Sequence, residues 1–135
     1  MIPSLIPDFT GKRAFKITLR TLHILSICGL SGGLWFAPEA HEKWLPFAWL
    51  TLASGLALML LDGLSNLLWW VQIRGLVIGI KLLLVGALAI WPSQAWWLLS
   101  AIIVLSAIIS HAPGDVRYYS LRHRRVIRST QDAKG

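Results

Sequence analysis

Four residues in this 135-residue chain carry ionisable side chains inside apolar runs: His23, Asp62, Lys81 and His111. Intramembrane ionisable groups are costly and mark functional sites by default. Two imidazoles on different helices can ligate haem iron axially. Arg20, Arg74 or Arg117 could then pair with the haem propionates through charge-assisted hydrogen bonds. Asp62 and Lys81 have opposite sign and flank a connection centred between Val71 and Gln72. Two helices folding back there place the two charges at one depth, which predicts a buried ion pair. His23 lies seven residues past Lys16, and Lys81 seven past Arg74. Both separations correspond to ~10 Å of helix rise. Each run thus contributes one ionisable group to the same half of a membrane.

The elements that must position these groups are legible from composition. Hydrophobic residues make up 56% of the chain and charged residues 14%, and the mean hydropathy is +0.63. Soluble domains carry about 25% charged residues, so the composition is that of an integral membrane protein. The apolar runs span about 14–36, 44–70, 74–91 and 95–112, each close to the ~20 residues that cross the hydrocarbon core. Pro38, Pro92 and Pro113 end three of them. Continuous rather than alternating apolar runs exclude a closed barrel. The expectation is an all-α, polytopic membrane protein: one domain, residues 1–135, forming an antiparallel bundle of four transmembrane helices with a basic tail at 113–135.

The net charge of +7 reports topology rather than nucleic acid. Lys12, Arg13, Lys16 and Arg20, then Arg74, then Arg117, Arg122, Arg124, Arg125, Arg128 and Lys134 fall on one side of a four-span arrangement. Only Lys43 falls on the other. The positive-inside rule then places both termini in the cytoplasm, in an inner membrane. Trp35, Trp44, Trp91, Trp96 and Trp97 would form one interfacial belt, with Trp69 and Trp70 in the other. The tail reads first as an interfacial segment anchored by Tyr118 and Tyr119, with its arginines on anionic lipid. A sharper reading has Pro113-Gly114 turning the chain so that Arg117 reaches a cofactor or substrate.

Helix faces add detail. Thr51, Gly55, Leu58, Asp62, Ser65, Asn66 and Trp69 share one side of the second run, a polar stripe that should face inward. Gly29 and Gly33, and Gly75 and Gly79, have the GxxxG spacing of close helix contacts. Gly75, Gly79 and Gly86 lie on a face well away from Lys81, which leaves one face for a second copy or a larger membrane complex. Cys28 is the single cysteine, and the soft ligands a copper site favours are scarce. No zinc spacing, phosphate loop or nucleophile elbow is present.

Leu22-His23-Ile24-Leu25 followed by Gly32-Gly33 resembles the first helix of the CopD-like and HemJ-like membrane proteins. Ser54-Gly55-Leu56 is similar to a Thr-Gly-Leu of that group, and Lys81-Leu82 to its Lys-Leu helix. The resemblance covers about residues 20–90. It implies a helical bundle and, for the HemJ group, haem b and protoporphyrinogen oxidation, with roles that map onto His23 and Lys81. The histidine that pattern places soon after the lysine has no counterpart, since Ala87 to Trp91 contains none.

The functional expectation is therefore a cytochrome-b-like membrane protein that binds haem b between helices and carries electrons. His23 would be an axial ligand, with His111 or Lys81 the second, and Arg20 and Arg117 would lie near the propionates. The competing expectation is a cofactor-free protein that moves a proton or small solute past Asp62 and Lys81, or serves as an accessory subunit.

Overall fold

The computed structural model describes residues 4–129, 131 and 132. Its architecture is all-α: α1 (Lys12–Phe36), α2 (His41–Ser65), α3 (Ile73–Ile90) and α4 (Ala95–His111), then a one-turn α5 (Gly114–Arg117) and a two-stranded hairpin of β1 (Tyr119–Ser120) and β2 (Arg125–Val126). Four helices, the last counted from Pro92 to His111, are long and apolar enough to cross a membrane. Their large apolar side chains, including Phe36, Leu83, Ile90 and Ile108, are mostly exposed, as lipid-facing surfaces are. The chain divides into two compact units, Asp8–Leu61 and Asp62 onward together with the N-terminal segment through Pro7.

The first unit is an antiparallel helix pair. Gly33 lies against Trp44, Gly29 against Phe47 and Gly55 against the His23 imidazole. A methyl group at Gly29 or Gly33 would overlap the facing aromatic side chain. The GxxxG spacing of α1 is thus a contact face that lets bulky rings approach the backbone. The connection is short: the Ala37 amide donates to Gly33 O at 2.9 Å, and the Trp44 indole donates to Pro38 O at 3.2 Å.

In the second unit, α2 stops earlier than its apolar run suggests. Its helix ends at Ser65, and Leu67–Val71 form a 3-10 turn. The cause is Asn66, whose side-chain oxygen accepts from Leu68 N at 3.1 Å and starts a new turn rather than continuing the old one. The Leu5 and Ile6 amides cap the helix end by donating to Leu64 O at 2.7 and 3.2 Å, satisfying a carbonyl without a partner in its own helix. Trp69 and Trp70 meet edge to face, with ring centroids 4.9 Å apart. Trp69 is buried, and the half-exposed Trp70 lies on Gly63 and donates to its carbonyl at 3.1 Å. Gly75 is spent in the same connection, under the Trp69 carbonyl, while Gly79 and Gly86 meet no neighbouring atom among the described residues. The second GxxxG spacing is therefore not a contact face between helices of the described chain. Helices α3 and α4 run antiparallel through a 3-10 turn at Pro92–Gln94.

The tail is folded rather than extended. Pro113 starts α5, and the hairpin pairs Tyr119 with Val126 and Ser120 with Arg125. Ile127 is fully buried beneath it. The segment is a folded cap on the start of α3.

Candidate functional site

Two polar clusters stand out, one in each unit. In the first, His23 is half-buried on α1, and its Nδ1 lies 2.8 Å from Ser54 Oγ of α2. Ser54 Oγ is itself 2.6 Å from Leu50 O. A carbonyl only accepts, so the single Ser54 proton is directed to Leu50. In that arrangement Nδ1 is the donor to Ser54. One turn farther along, Thr51 Oγ1 donates to the fully buried Ser26 Oγ at 3.0 Å, and Ser26 Oγ donates to His23 O at 2.8 Å. Both serine protons thus end on backbone carbonyls. The hydroxyls fix the ring; they do not form a continuous relay for protons. Ser26 and Ser54 carry this arrangement, and neither belongs to the polar stripe read from α2. Ser54 lies one residue before Gly55, whose missing side chain makes room for the ring: a methyl group there would sit 2.9 Å from His23 Cε1.

The second cluster surrounds Tyr118. The Arg74 guanidinium carbon lies 4.8 Å from the ring centroid, and those of Arg117 and Arg128 each 5.8 Å. Gln72 holds the base of the cluster. It is 2% exposed; its Nε2 donates to Ile127 O at 2.6 Å, and its Oε1 accepts from Arg74 Nε at 2.6 Å. One side chain therefore ties the cap to the start of α3 and aims Arg74. Arg128 donates to Asp115 at 2.6 Å across the surface. The Arg117 Nε is buried with no hydrogen-bond partner among the described residues. A cavity of about 400 Å³ is lined by Asn66, Gln72, Arg74, Tyr118 and Arg128. Of these, sequence reasoning singled out Arg74 and treated Tyr118 as a lipid anchor. Gln72 went unnoticed because its partner is 55 residues away.

The remaining candidates are placed as follows. Lys81 Nζ donates to Ser106 Oγ of α4 at 3.2 Å. The ion pair expected with Asp62 presumed a helix through Trp70; with α2 ending at Ser65, Asp62 lies in its last turn, about 4.5 Å from the end, whereas Lys81 stands about 12 Å into α3. The Asp62 charge also acts on Arg74 at the start of α3. His111 is the last residue of α4 and is exposed. Arg20 is exposed on α1. Arg117 lies beside Tyr118, its guanidinium carbon 5.8 Å from the ring centroid, and is not among the residues that line the cavity. Among the described residues no three His, Cys, Asp or Glu side chains cluster in the manner of a metal site.

The fit to haem accordingly rests on His23. A ligating histidine donates its second ring nitrogen to a fixed acceptor, which sets the tautomer and orients the ring. The His23–Ser54 arrangement meets that requirement. No family model, curated protein or solved structure matches the chain.

Proposed function

We propose that this protein is a cytochrome-b-like membrane protein in which His23 is an axial ligand of haem b. The observation that carries the reading is the His23–Ser54 hydrogen bond, which orients the imidazole as the outer partner of a ligating histidine does. Ser54 and the gap at Gly55 hold the ring in one orientation, and half-burial limits competition from water. Haem b would supply one-electron transfer. His111 and Lys81 are the chain's candidate second ligands, and Arg20 and Arg117 its candidate partners for propionates. The similarity of residues 20–90 to CopD-like and HemJ-like proteins supports the same reading. The excess of Lys and Arg on one side of the four runs supports an inner-membrane protein with both termini in the cytoplasm.

Reduced-minus-oxidised spectra of membranes and of purified protein test the proposal in wild type, His23→Ala, His111→Ala and Lys81→Ala. The expected result is a b-type spectrum in wild type, lost in His23→Ala and altered in one of the other two. Colourless wild-type protein from haem-replete cells overturns the proposal, and a cofactor-free transport or accessory role then takes its place.

A further inference from the structure

The cap cluster has no part in the haem proposal and stands independently of it. Residues 114–129 hold five arginines, Arg117, Arg122, Arg124, Arg125 and Arg128, against one acid, Asp115. Three guanidiniums, two from the cap and one from α3, gather around the single ring of Tyr118, and the Arg117 charge acts against that of Arg74. Like charges held this close disfavour the folded arrangement unless something compensates them. Asp115 binds Arg128 at the exposed edge, where both side chains are well solvated and the pair contributes little. Arg117 has no acid partner among the described residues, and its Nε is buried without an acceptor. An orphaned buried donor calls for a missing acceptor.

The surroundings indicate what kind of acceptor. Arg74 spends its Nε on Gln72, so its two terminal amino groups are left for the cavity that Arg74, Tyr118 and Arg128 line. A planar fork of that kind suits a phosphate oxyanion. Gln72 is also a wall of a second cavity, of about 290 Å³, lined mainly by apolar side chains that include Trp70, Ile73, Leu76 and Leu121. Trp70, Leu76 and Leu121 are exposed there. A cationic cavity and an apolar one sharing a wall match an amphiphile with an anionic head and a hydrocarbon body.

We infer that the cap of residues 114–129 and the start of α3 form a binding site for a phosphate group, supplied by the headgroup of an anionic phospholipid. The Arg74 fork donates to the phosphate oxygens, the Arg117 guanidinium adds its positive charge from beside Tyr118, Gln72 keeps Arg74 aimed, and the hydrocarbon lies along Trp70, Ile73 and Leu76. The cap folds over the headgroup, so the site reads charge and not merely proximity to a bilayer.

Native mass spectrometry of the delipidated full-length protein tests this with phosphatidylglycerol, phosphatidylcholine and inorganic phosphate as probes. Wild type should retain phosphatidylglycerol in preference to phosphatidylcholine, whose choline cation would meet the guanidiniums. Arg74→Gln and Arg117→Gln should each weaken retention roughly fivefold, the effect of about one cation at an anionic surface, while Lys43→Gln should leave it unchanged. Arg117→Gln breaks no described hydrogen bond, so it reads the site even if Arg74→Gln fails to fold by circular dichroism. Displacement of phosphatidylglycerol by inorganic phosphate would support the oxyanion site with free phosphate as the source; resistance to displacement would support the lipid. Equal retention of the two lipids, or phosphatidylglycerol retention that Arg117→Gln does not change, would overturn the inference.

Discussion

The helix pair α1–α2 and the cap on α3 solve the same problem, holding polar groups at fixed positions, by different means. In the helix pair the contacts are short-range in geometry: Gly29 and Gly33 admit Phe47 and Trp44, and serine and threonine hydroxyls return their protons to nearby backbone carbonyls. In the cap the contacts are long-range: Gln72 bridges 55 residues to Ile127, and three guanidiniums gather on Tyr118, of which Arg128 also pairs with Asp115. The helix pair is thus held by internal hydrogen bonds that fix the His23 ring. The cap keeps excess positive charge and an unpartnered donor, and offers a binding surface. A site for a metal and a site for an anion differ in which electrostatic demand the fold leaves unmet.

The largest expected effect tests whether Gln72 is the hub of the cap. Gln72→Leu removes the donor to a buried carbonyl and the acceptor for Arg74 together, and should cost about 2–3 kcal/mol. The cap should then open locally, with trypsin cleaving after Arg122 and Arg124 much faster than in wild type while the α1–α2 pair stays protected. An unchanged cleavage rate would show that the hairpin and Ile127 hold the cap without it.

The two GxxxG spacings allow the next contrast. Gly33→Ala forces a methyl group into the Trp44 side chain and should destabilise by about 1–3 kcal/mol in thermal melts in detergent. Gly79→Ala meets open space among the described residues and should stabilise by about 0.5–1 kcal/mol, the usual gain of alanine over glycine in a helix. Equal penalties at the two positions would mean that Gly79 also faces a close neighbour, such as a second copy.

Ser54→Ala is smaller. It removes one interhelical hydrogen bond, for which about 0.6 kcal/mol is typical within membranes, and frees the His23 ring to reorient. Ser54→Thr retains the hydroxyl and should behave as wild type. If the haem proposal is correct, Ser54→Ala should also shift the b-type spectrum, which a purely structural serine would leave unmoved.

The smallest effect concerns the end of the cap. The Asp132 carboxylate accepts from the Arg128 and Ser129 amides at 3.0 and 2.9 Å and from Ser129 Oγ, while its own amide is 3.4 Å from Ser129 Oγ. This is a capping box. The backbone donors hold its pKa below the ordinary value of 3.8. The stabilisation is therefore fully present above that ordinary value and is lost as pH falls through the lower folded value. Hydrogen exchange at the Arg128 and Ser129 amides should quicken in that acid range, and Asp132→Asn should remove the pH dependence. Protection that stays constant through acid pH would mean that the turn does not rely on the carboxylate.

What the sequence determined by itself is the set of elements. Four apolar runs, the proline stops at Pro38, Pro92 and Pro113, and the small-residue spacing of α1 are local patterns, because helix periodicity and helix ends are set by residues three or four positions apart. His23 was legible as a candidate for the same reason: an imidazole in an apolar run is conspicuous. The tertiary structure decided everything that needed a partner from far along the chain. It gave the His23 proton an acceptor in Ser54, directed Lys81 to Ser106 and spent Gly75 beneath Trp69. It also gave the basic tail, read as an interfacial segment anchored by Tyr118 and Tyr119, the form of a folded cap. Only a fold that brings Gln72 to Ile127 can reveal Gln72 as its hub, since one polar residue in a turn carries no local mark of a carbonyl 55 residues away.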